Sequence, residues 1–206
     1  MRQVTGSNSA SSDNKVSIQL LLDGHSFSRE VLPKNVAHYT TVEVELLTAK
    51  SLLVPEECFA PELAYKLLSL SGIACSDEEL PVWSDAKDGV VALMLLHREV
   101  VEMLNECYGS RLKYTSPLLR GCEGMADGGY LYLYCADHVA YFKLYNGPQL
   151  DFCEAMTIAG VNEILCTTQR VAELFGCDEL TVKVAGPASD DAIKLLKQYH
   201  KVEKCE

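Results

Sequence analysis

Two stretches of the sequence repeat one pattern, and this repeat predicts the fold. Residues 16–28 read VSIQLLLDGHSFS, and residues 130–142 read YLYLYCADHVAYF. Each begins with an apolar run, continues through a polar segment that contains an aspartate, and ends in a second strand-like run. Aspartate is favoured in tight turns because its side chain bonds to nearby backbone amides. Each stretch therefore predicts a β-hairpin, with Asp23 in the first turn and Asp137 in the second.

The segments after each hairpin predict an internal repeat. Hydrophobic periodicity in the first half predicts strands at 16–22, 26–32 and 41–47, a helix at 61–71, a strand at 89–96 and a helix at 97–108. The second half predicts strands at 130–135, 139–145 and 149–155, a helix at 160–175, a strand at 181–185 and a final helix capped by Ser189. Both halves read strand-strand-strand-helix-strand-helix, which predicts a duplicated α/β fold.

Composition predicts four segments along the chain. We expect a disordered leader over residues 1–15, which are rich in Ser and Asn, and a first α/β lobe over 16–120. Residues 121–129 are rich in glycine and predict a hinge or linker, and a second α/β lobe follows over 130–206. The leader has no apolar run of the kind that secretion requires, and no stretch is long enough to span a bilayer.

Charge and cysteine spacing exclude several classes of function. The formal net charge is −11, so long-range electrostatics disfavour nucleic acid and anionic membranes as partners. The nine cysteines never form a Cys-x-x-Cys pair, and an odd number argues against a closed disulfide framework. We therefore expect a cytoplasmic protein with nine reduced cysteines and no bound metal.

Four stretches resemble an uncharacterised Bacteroidetes domain-of-unknown-function family with an actin-like ATPase (ASKHA-type) fold. They are residues 22–28, 52–59, 116–118 and 130–186, and together the resemblance covers nearly the whole chain after the leader. The resemblance implies two ribonuclease-H-like lobes that face one another across a cleft. The family has no established activity, so the resemblance leaves the function open. One departure is the short stretch between Leu32 and Thr41, where a helix of the family would be trimmed.

Active relatives of this superfamily bind ATP with magnesium at glycine-containing turns, because a phosphate approaches backbone amides closely only where no Cβ intervenes. The positions that could hold a nucleotide here are Asp23, Gly24, Asp137, Gly160 and Gly186. The second turn contains no glycine, and Pro187 lacks an amide donor. We therefore favour ordinary turn roles for these residues, with no catalytic residue and no cofactor. Residual ATP binding stays as the alternative.

Three tyrosines on one face of the strand at 130–135 form the preferred protein-contact surface. Tyr130, Tyr132 and Tyr134 alternate with apolar residues, which predicts a half-exposed face, and tyrosine is enriched at interfaces. Cys135 is expected to pack in the core, and His25 and His138 are expected to be solvated turn residues. The sequence thus favours a non-catalytic scaffold that binds an unidentified protein. The alternative is an ATP-binding or ATP-hydrolysing phosphotransferase-like enzyme that uses the cleft.

Overall fold

The computed structural model describes residues 4–5, 14–21, 32–33, 36, 38–121, 129–177 and 180–205. The chain divides into two compact units, Met1–Leu119 and Arg120–Glu206. Each unit contains mixed α/β structure, and each has a hydrophobic core of its own. The predicted hinge stays a prediction because residues 122–128 lie outside the described residues.

The described part of the first unit contains seven strands and two α-helices. The strands are β1 (Val4–Thr5), β2 (Lys15–Leu21), β3 (Thr41–Leu47), β4 (Ser51–Pro55), β5 (Glu79–Trp83), β6 (Val90–His97) and β7 (Leu112–Thr115). The helices are α1 (Ala64–Leu70) and α2 (Arg98–Tyr108). Short 3₁₀ turns lie at Glu56–Cys58, Pro61–Leu63, Gly109–Arg111 and Pro117–Leu119.

The main sheet of the first unit has the strand order β1-β2-β3-β7. Strands β2, β3 and β7 run parallel, and β1 pairs with β2 in the antiparallel sense. Val42, Val44 and Leu46 of β3 are fully buried in the same cluster as the apolar side of α2. On the other face, the side chain of Gln19 donates a hydrogen bond to Glu45 at 2.5 Å. The period-2 alternation of β3 therefore separates the core face from the polar face of this strand.

The N-terminal segment differs from the expected disordered leader at three residues. Val4–Thr5 form β1, with Val4 opposite Ile18, and β2 already begins at Lys15. Composition alone favoured disorder because the segment is rich in Ser and Asn. Pairing with β2 supplies backbone hydrogen bonds that a local analysis of composition does not include.

A second, smaller sheet in the first unit contradicts the predicted element order. Strands β4, β6 and β5 pair in that order and antiparallel, and α1 packs on them through Ala64 and Leu68. The sequence analysis missed β4 and β5, so strand-strand-strand-helix-strand-helix is wrong for this half. The missed strands have five residues each and gain stability from pairing with the buried strand β6, which is a tertiary effect. The predicted strand at 26–32 lies outside the described residues, except for Leu32.

The second unit contains five strands and two helices among its described residues. The strands are β8 (Gly129–Cys135), β9 (Val139–Asn146), β10 (Gln149–Thr157), β11 (Thr181–Ala185) and β12 (Lys201–Lys204). The helices are α3 (Val161–Phe175) and α4 (Ser189–Leu196). The strand order is β10-β9-β8-β11-β12. Strands β8, β9 and β10 form an antiparallel meander, which confirms that prediction, and β8, β11 and β12 run parallel.

The C-terminal end differs from its prediction in two details. Ser189 is the first residue of α4, and its side chain makes no capping hydrogen bond, so the predicted cap is wrong. The helix ends at Leu196, and the chain then adds β12 beside β11. The run at 201–204 reads KVEK and carries too little apolar character to signal a strand by itself. Its pairing with β11 decides its conformation.

His200, between α4 and β12, predicts a pH-dependent stability. Burial lowers its pKa below the ordinary value of 6.5, because burial disfavours the charged imidazolium. The unfolded chain therefore binds the proton at higher pH than the folded chain. Stability should be highest above pH 6.5 and should fall as the pH drops through 6.5 towards the folded-state pKa.

We expect His200→Leu to flatten this part of the stability profile, measured by urea unfolding between about pH 8 and about pH 5. The Nε2 atom of His200 is buried and has no hydrogen-bond partner among the described residues, so the substitution removes no such bond. A variant with the same pH profile as the wild-type protein would contradict the assignment.

Candidate functional site

Three of the nucleotide-site candidates lie at the same end of the sheet in the second unit. Asp137 follows the carboxyl end of β8, and Gly186 follows the carboxyl end of its parallel neighbour β11. Gly160 precedes α3, and the nearby Ile158 amide donates to the His138 carbonyl at 2.8 Å. Ligands of α/β sheets bind outside the carboxyl ends of parallel strands, so this end of the sheet is the candidate site.

Gly186 has a structural reason to be glycine. Its φ angle is +99°, and a Cβ at this position would lie 2.2 Å from the Cys135 carbonyl oxygen. The Ala188 amide donates to that same oxygen at 3.1 Å. The close approach of this turn to the end of β8 therefore accounts for the glycine without a bound phosphate.

The N-terminus of α3 is bonded by a side chain of the helix itself. The Glu163 carboxylate accepts a hydrogen bond from the Ala159 amide at 2.7 Å. Helix N-termini attract anions, and here the Glu163 carboxylate lies beside the residue that precedes the N-cap Gly160. Gly160 has a φ of 179°, which any residue adopts, and a Cβ there would meet no atom within 4 Å. This end of α3 thus lacks the close backbone approach that would require glycine for phosphate binding.

The turn between β8 and β9 holds Asp137 and His138. Both side chains are exposed, and the Ala136 amide donates to the Val139 carbonyl at 2.9 Å across the turn. The predicted solvated character of His138 is confirmed. Asp23, Gly24 and His25 lie outside the described residues, so their predicted roles stay predictions.

The three tyrosines of β8 are buried. Tyr130, Tyr132 and Tyr134 expose only 4%, 2% and 2% of their surface, so the prediction of a half-exposed face is wrong. Their use as a protein-contact surface stays an untested proposal, and it would require uncovering this face. Alternation along β8 correctly separated them from the core residues Leu131 and Leu133, but period alone does not show what covers a face.

Two lysines that the sequence analysis missed lie on the tyrosine face. The Lys143 amine is 5.1 Å from the Tyr132 ring centroid and donates a hydrogen bond to the Arg120 carbonyl. The Lys183 amine is 4.3 Å from the centroid of Tyr130. Both lysines are buried, and each amine lies within cation–π distance of an aromatic ring. The signal was available, because each is a charged residue inside a predicted strand.

The cysteines of this unit include core residues and one disulfide. Cys135 packs in the core as predicted, and burial raises the pKa of its thiol to about 12. Burial likewise raises the pKa of Cys153 to about 11. Cys205 is disulfide-bonded, so the prediction of nine reduced cysteines is wrong, while the seven other described cysteines are free. Cysteine spacing does not report which side chains the fold brings together.

A pocket of about 350 Å³ lies at the opposite end of this sheet, beside the start of β8 and the end of β9. Tyr145 and Asp151 line it, together with Phe175 and Gly176 at the C-terminal end of α3. Its volume is in the range of about 300–1,000 Å³ that is typical of ligand pockets. The sequence analysis did not single out these residues, because strands β9 and β10 and the end of α3 meet only in the folded unit.

The described ranges contain neither a metal-binding cluster nor a membrane-spanning helix. Within them, no group of three or more His, Cys, Asp or Glu side chains is arranged to hold a metal ion. No helix in the same ranges is long and apolar enough to cross a membrane.

Several solved structures have a similar fold. A Bacteroides thetaiotaomicron protein with an actin-like ATPase fold and unknown function gives a TM-score of 0.68 at 16% identity, over 84% of this chain and 74% of that chain. A chain of the PilM–PilN type IV pilus biogenesis complex gives 0.54 at 15% identity, over 86% of this chain and 73% of its own length. No protein-family model and no curated protein matches the sequence.

These similarities establish the fold class. The chain has an actin-like ATPase fold, as the resemblance of its sequence to Bacteroidetes proteins implied. Identities near 15% extend to fold and leave activity to be argued from the site.

Proposed function

We propose that this chain is a cytoplasmic, non-catalytic scaffold protein, a pseudo-ATPase that binds another protein. The observation that carries the proposal is the structural role of the described glycine candidate Gly186, whose missing Cβ accommodates the Cys135 backbone. The turn at Asp137 contains no glycine, and Glu163 bonds the N-terminal end of α3. Phosphoryl transfer depends on positioning of the phosphates and stabilisation of their charge. This end of the sheet offers few groups for either purpose.

Similarity to a protein complex supports the binding part of the proposal. One of the similar structures is a complex between two pilus-biogenesis proteins, PilM and PilN. Nucleic acid and anionic membranes are poor partners for a chain with a net charge of −11. A protein partner therefore fits both the fold and the charge.

We further propose that the two units are ribonuclease-H-like lobes that arose by duplication. Parallel strands β2, β3 and β7 lie side by side in the first unit, as β8, β11 and β12 do in the second. An antiparallel neighbour lies on the other side of the first strand in both, β1 beside β2 and β9 beside β8. Asp23 and Asp137 follow the equivalent strands β2 and β8. The small sheet β4-β6-β5 would then be an insertion.

Chemical cross-linking in the native host, followed by affinity purification and mass spectrometry, tests the scaffold function. We expect one protein to be recovered in stoichiometric amount and to bind the purified chain directly in calorimetry. Failure of every recovered protein to bind the purified chain would overturn the proposal.

The alternative is an ATP-binding or ATP-hydrolysing enzyme. The position of Asp137, Gly160 and Gly186 at the same end of the sheet favours it. A thermal-shift titration separates the two functions, because a ligand that binds the folded state raises the midpoint according to RT ln(1 + [L]/Kd). We expect no rise with magnesium-ATP and no phosphate release. Micromolar binding that Asp23→Ala abolishes, with the fold intact, would make the enzyme the better description.

A further inference from the structure

Strand β10 presents an open edge of the five-stranded sheet. It has nine residues, and β9 is its one neighbour among the strands that the structure describes. The Ile158 amide donates to the His138 carbonyl, so the even-numbered residues of β10 after the bulge direct their backbone N–H and C=O groups towards β9. The backbone groups of Cys153, Ala155 and Thr157 therefore point away from β9. Among the described residues, no backbone bond reaches these outward groups.

The other edge of the same sheet is protected along its whole length, whereas β10 has a bulge at one end only. Strand β12 has four residues, and its Lys201 and Lys204 form ion pairs. Short length and lysines are the usual means by which proteins prevent pairing at a sheet edge. Strand β10 contains neither lysine nor proline. Its regular portion after the bulge at 150–152 is long enough to pair with an added strand.

The pocket of about 350 Å³ adjoins this edge at the bulge. Asp151 contributes a carboxylate that makes no ion pair among the described residues, and Leu144 and Phe175 contribute apolar groups to the lining. The last turn of α3, which ends in the pocket, contains no basic residue to offset its negative dipole end. An aliphatic stem with a positive end matches this lining.

We propose that a partner protein adds an extended segment to the outer edge of β10 and places one lysine or arginine side chain in the pocket beside Asp151. This inference rests on the proposed protein-binding function and names the surface and the chemistry of the partner. Backbone hydrogen bonds to Cys153, Ala155 and Thr157 supply affinity, and the pocket selects the cation. The net charge of −11 favours the approach of a basic segment.

A capped peptide that alternates threonine and valine around one central arginine is the probe, with glutamate and norleucine versions as comparisons. We expect the arginine peptide to bind at least about fivefold more tightly than the glutamate peptide. Residue-resolved hydrogen exchange should slow at the amides of Cys153, Ala155 and Thr157 on binding. The amides of Glu154 and Met156, which face β9, should not change.

Two substitutions separate the edge from the pocket. Ala155→Pro removes one outward donor and should abolish binding of all three peptides, whereas its control Ala155→Ser keeps the donor and should bind normally. Asp151→Asn should remove the preference for arginine over norleucine and leave strand pairing intact. Circular dichroism and the urea midpoint verify that each variant folds, and Asp151→Asn with the exchange pattern tests the proposal if Ala155→Pro does not fold.

Unchanged exchange at Cys153, Ala155 and Thr157 with millimolar arginine peptide would overturn the inference. So would equal affinity of the three peptides for the wild-type protein. A partner recovered from the host that binds Ala155→Pro as tightly as the wild-type chain overturns this surface and leaves the scaffold function standing. Failure of every recovered protein to bind the purified chain overturns the scaffold function itself.

Discussion

Gly186→Ala is expected to destabilise the second unit by about 3 kcal/mol or more. The residue has a φ of +99°, and an added Cβ would lie 2.2 Å from the Cys135 oxygen and 2.9 Å from the Cys135 nitrogen. Both atoms belong to the backbone, so no side-chain rotation relieves the overlap. The turn after β11 must instead move away from β8. Urea unfolding with a fitted m-value measures the loss.

Gly160→Ser is the matched control, since a Cβ at Gly160 meets no atom within 4 Å and serine is a favoured N-cap. We expect its stability to lie within about 0.5 kcal/mol of the wild-type value. A wild-type midpoint for Gly186→Ala would contradict the packing role of this glycine. It would also restore Gly186 as a candidate for nucleotide binding.

Leu133→Ala should cost about 3 kcal/mol of unfolding free energy. Leu133 is 0% exposed on the central strand β8 and packs in the cluster that contains Phe142 and Val182. Truncation removes apolar burial and leaves a cavity between the sheet and the helices, because the neighbouring strands cannot collapse independently. The change is measured as a shift of the urea midpoint at constant m-value.

Leu174→Ala makes the same chemical change at a surface position and is the control. Leu174 lies on α3 and is 72% exposed, and alanine is the stronger helix former. We expect a difference from wild type of less than about 0.5 kcal/mol. Similar losses for the two variants would show that the core does not lie where β8 and the helices meet.

Most elements of the second unit could be predicted from the sequence because its signals are local. Asn146 and Gly147 mark a tight turn, and Gly147 has the positive φ of 57° that such turns favour. Gly176 ends α3 with a φ of 64° for the same reason. The strand at 181–185 has the predicted bounds. Strand β12 was missed because its stability comes from β11, which is distant in sequence.

The first unit was predicted less well, although one local signal was present. Asp88 and Gly89 form a two-residue turn with φ of 52° and 77°, and the backbones of Lys87 and Val90 bond to each other across it. Asp-Gly is a strong hairpin signal, yet the sequence analysis did not use it to find a strand before β6. Recognising this turn would have predicted a strand pairing with 89–96. It would not have shown that β4 also joins this sheet.

The positions of the candidate site could be predicted from the sequence, but the structural roles of its residues could not. Asp137, Gly160 and Gly186 were identified from the order of elements, and the parallel pairing of β8 with β11 brings their segments to one end of the sheet. The structural reasons for these residues were not predictable. The distance from Gly186 to Cys135 and the bond of Glu163 to Ala159 are properties of packed backbones.

The sequence by itself determined the α/β class, the meander at the start of the second unit and the alternation of Leu131 and Leu133 with the tyrosines of β8. These follow from hydrophobic period and turn chemistry, which act over a few neighbouring residues. Only the tertiary structure decided the burial of that tyrosine face, the separate sheet of β4, β5 and β6, and the open edge of β10. Each depends on which distant segments pair or cover one another, and the free energy of such contacts is not encoded in any single stretch of the chain.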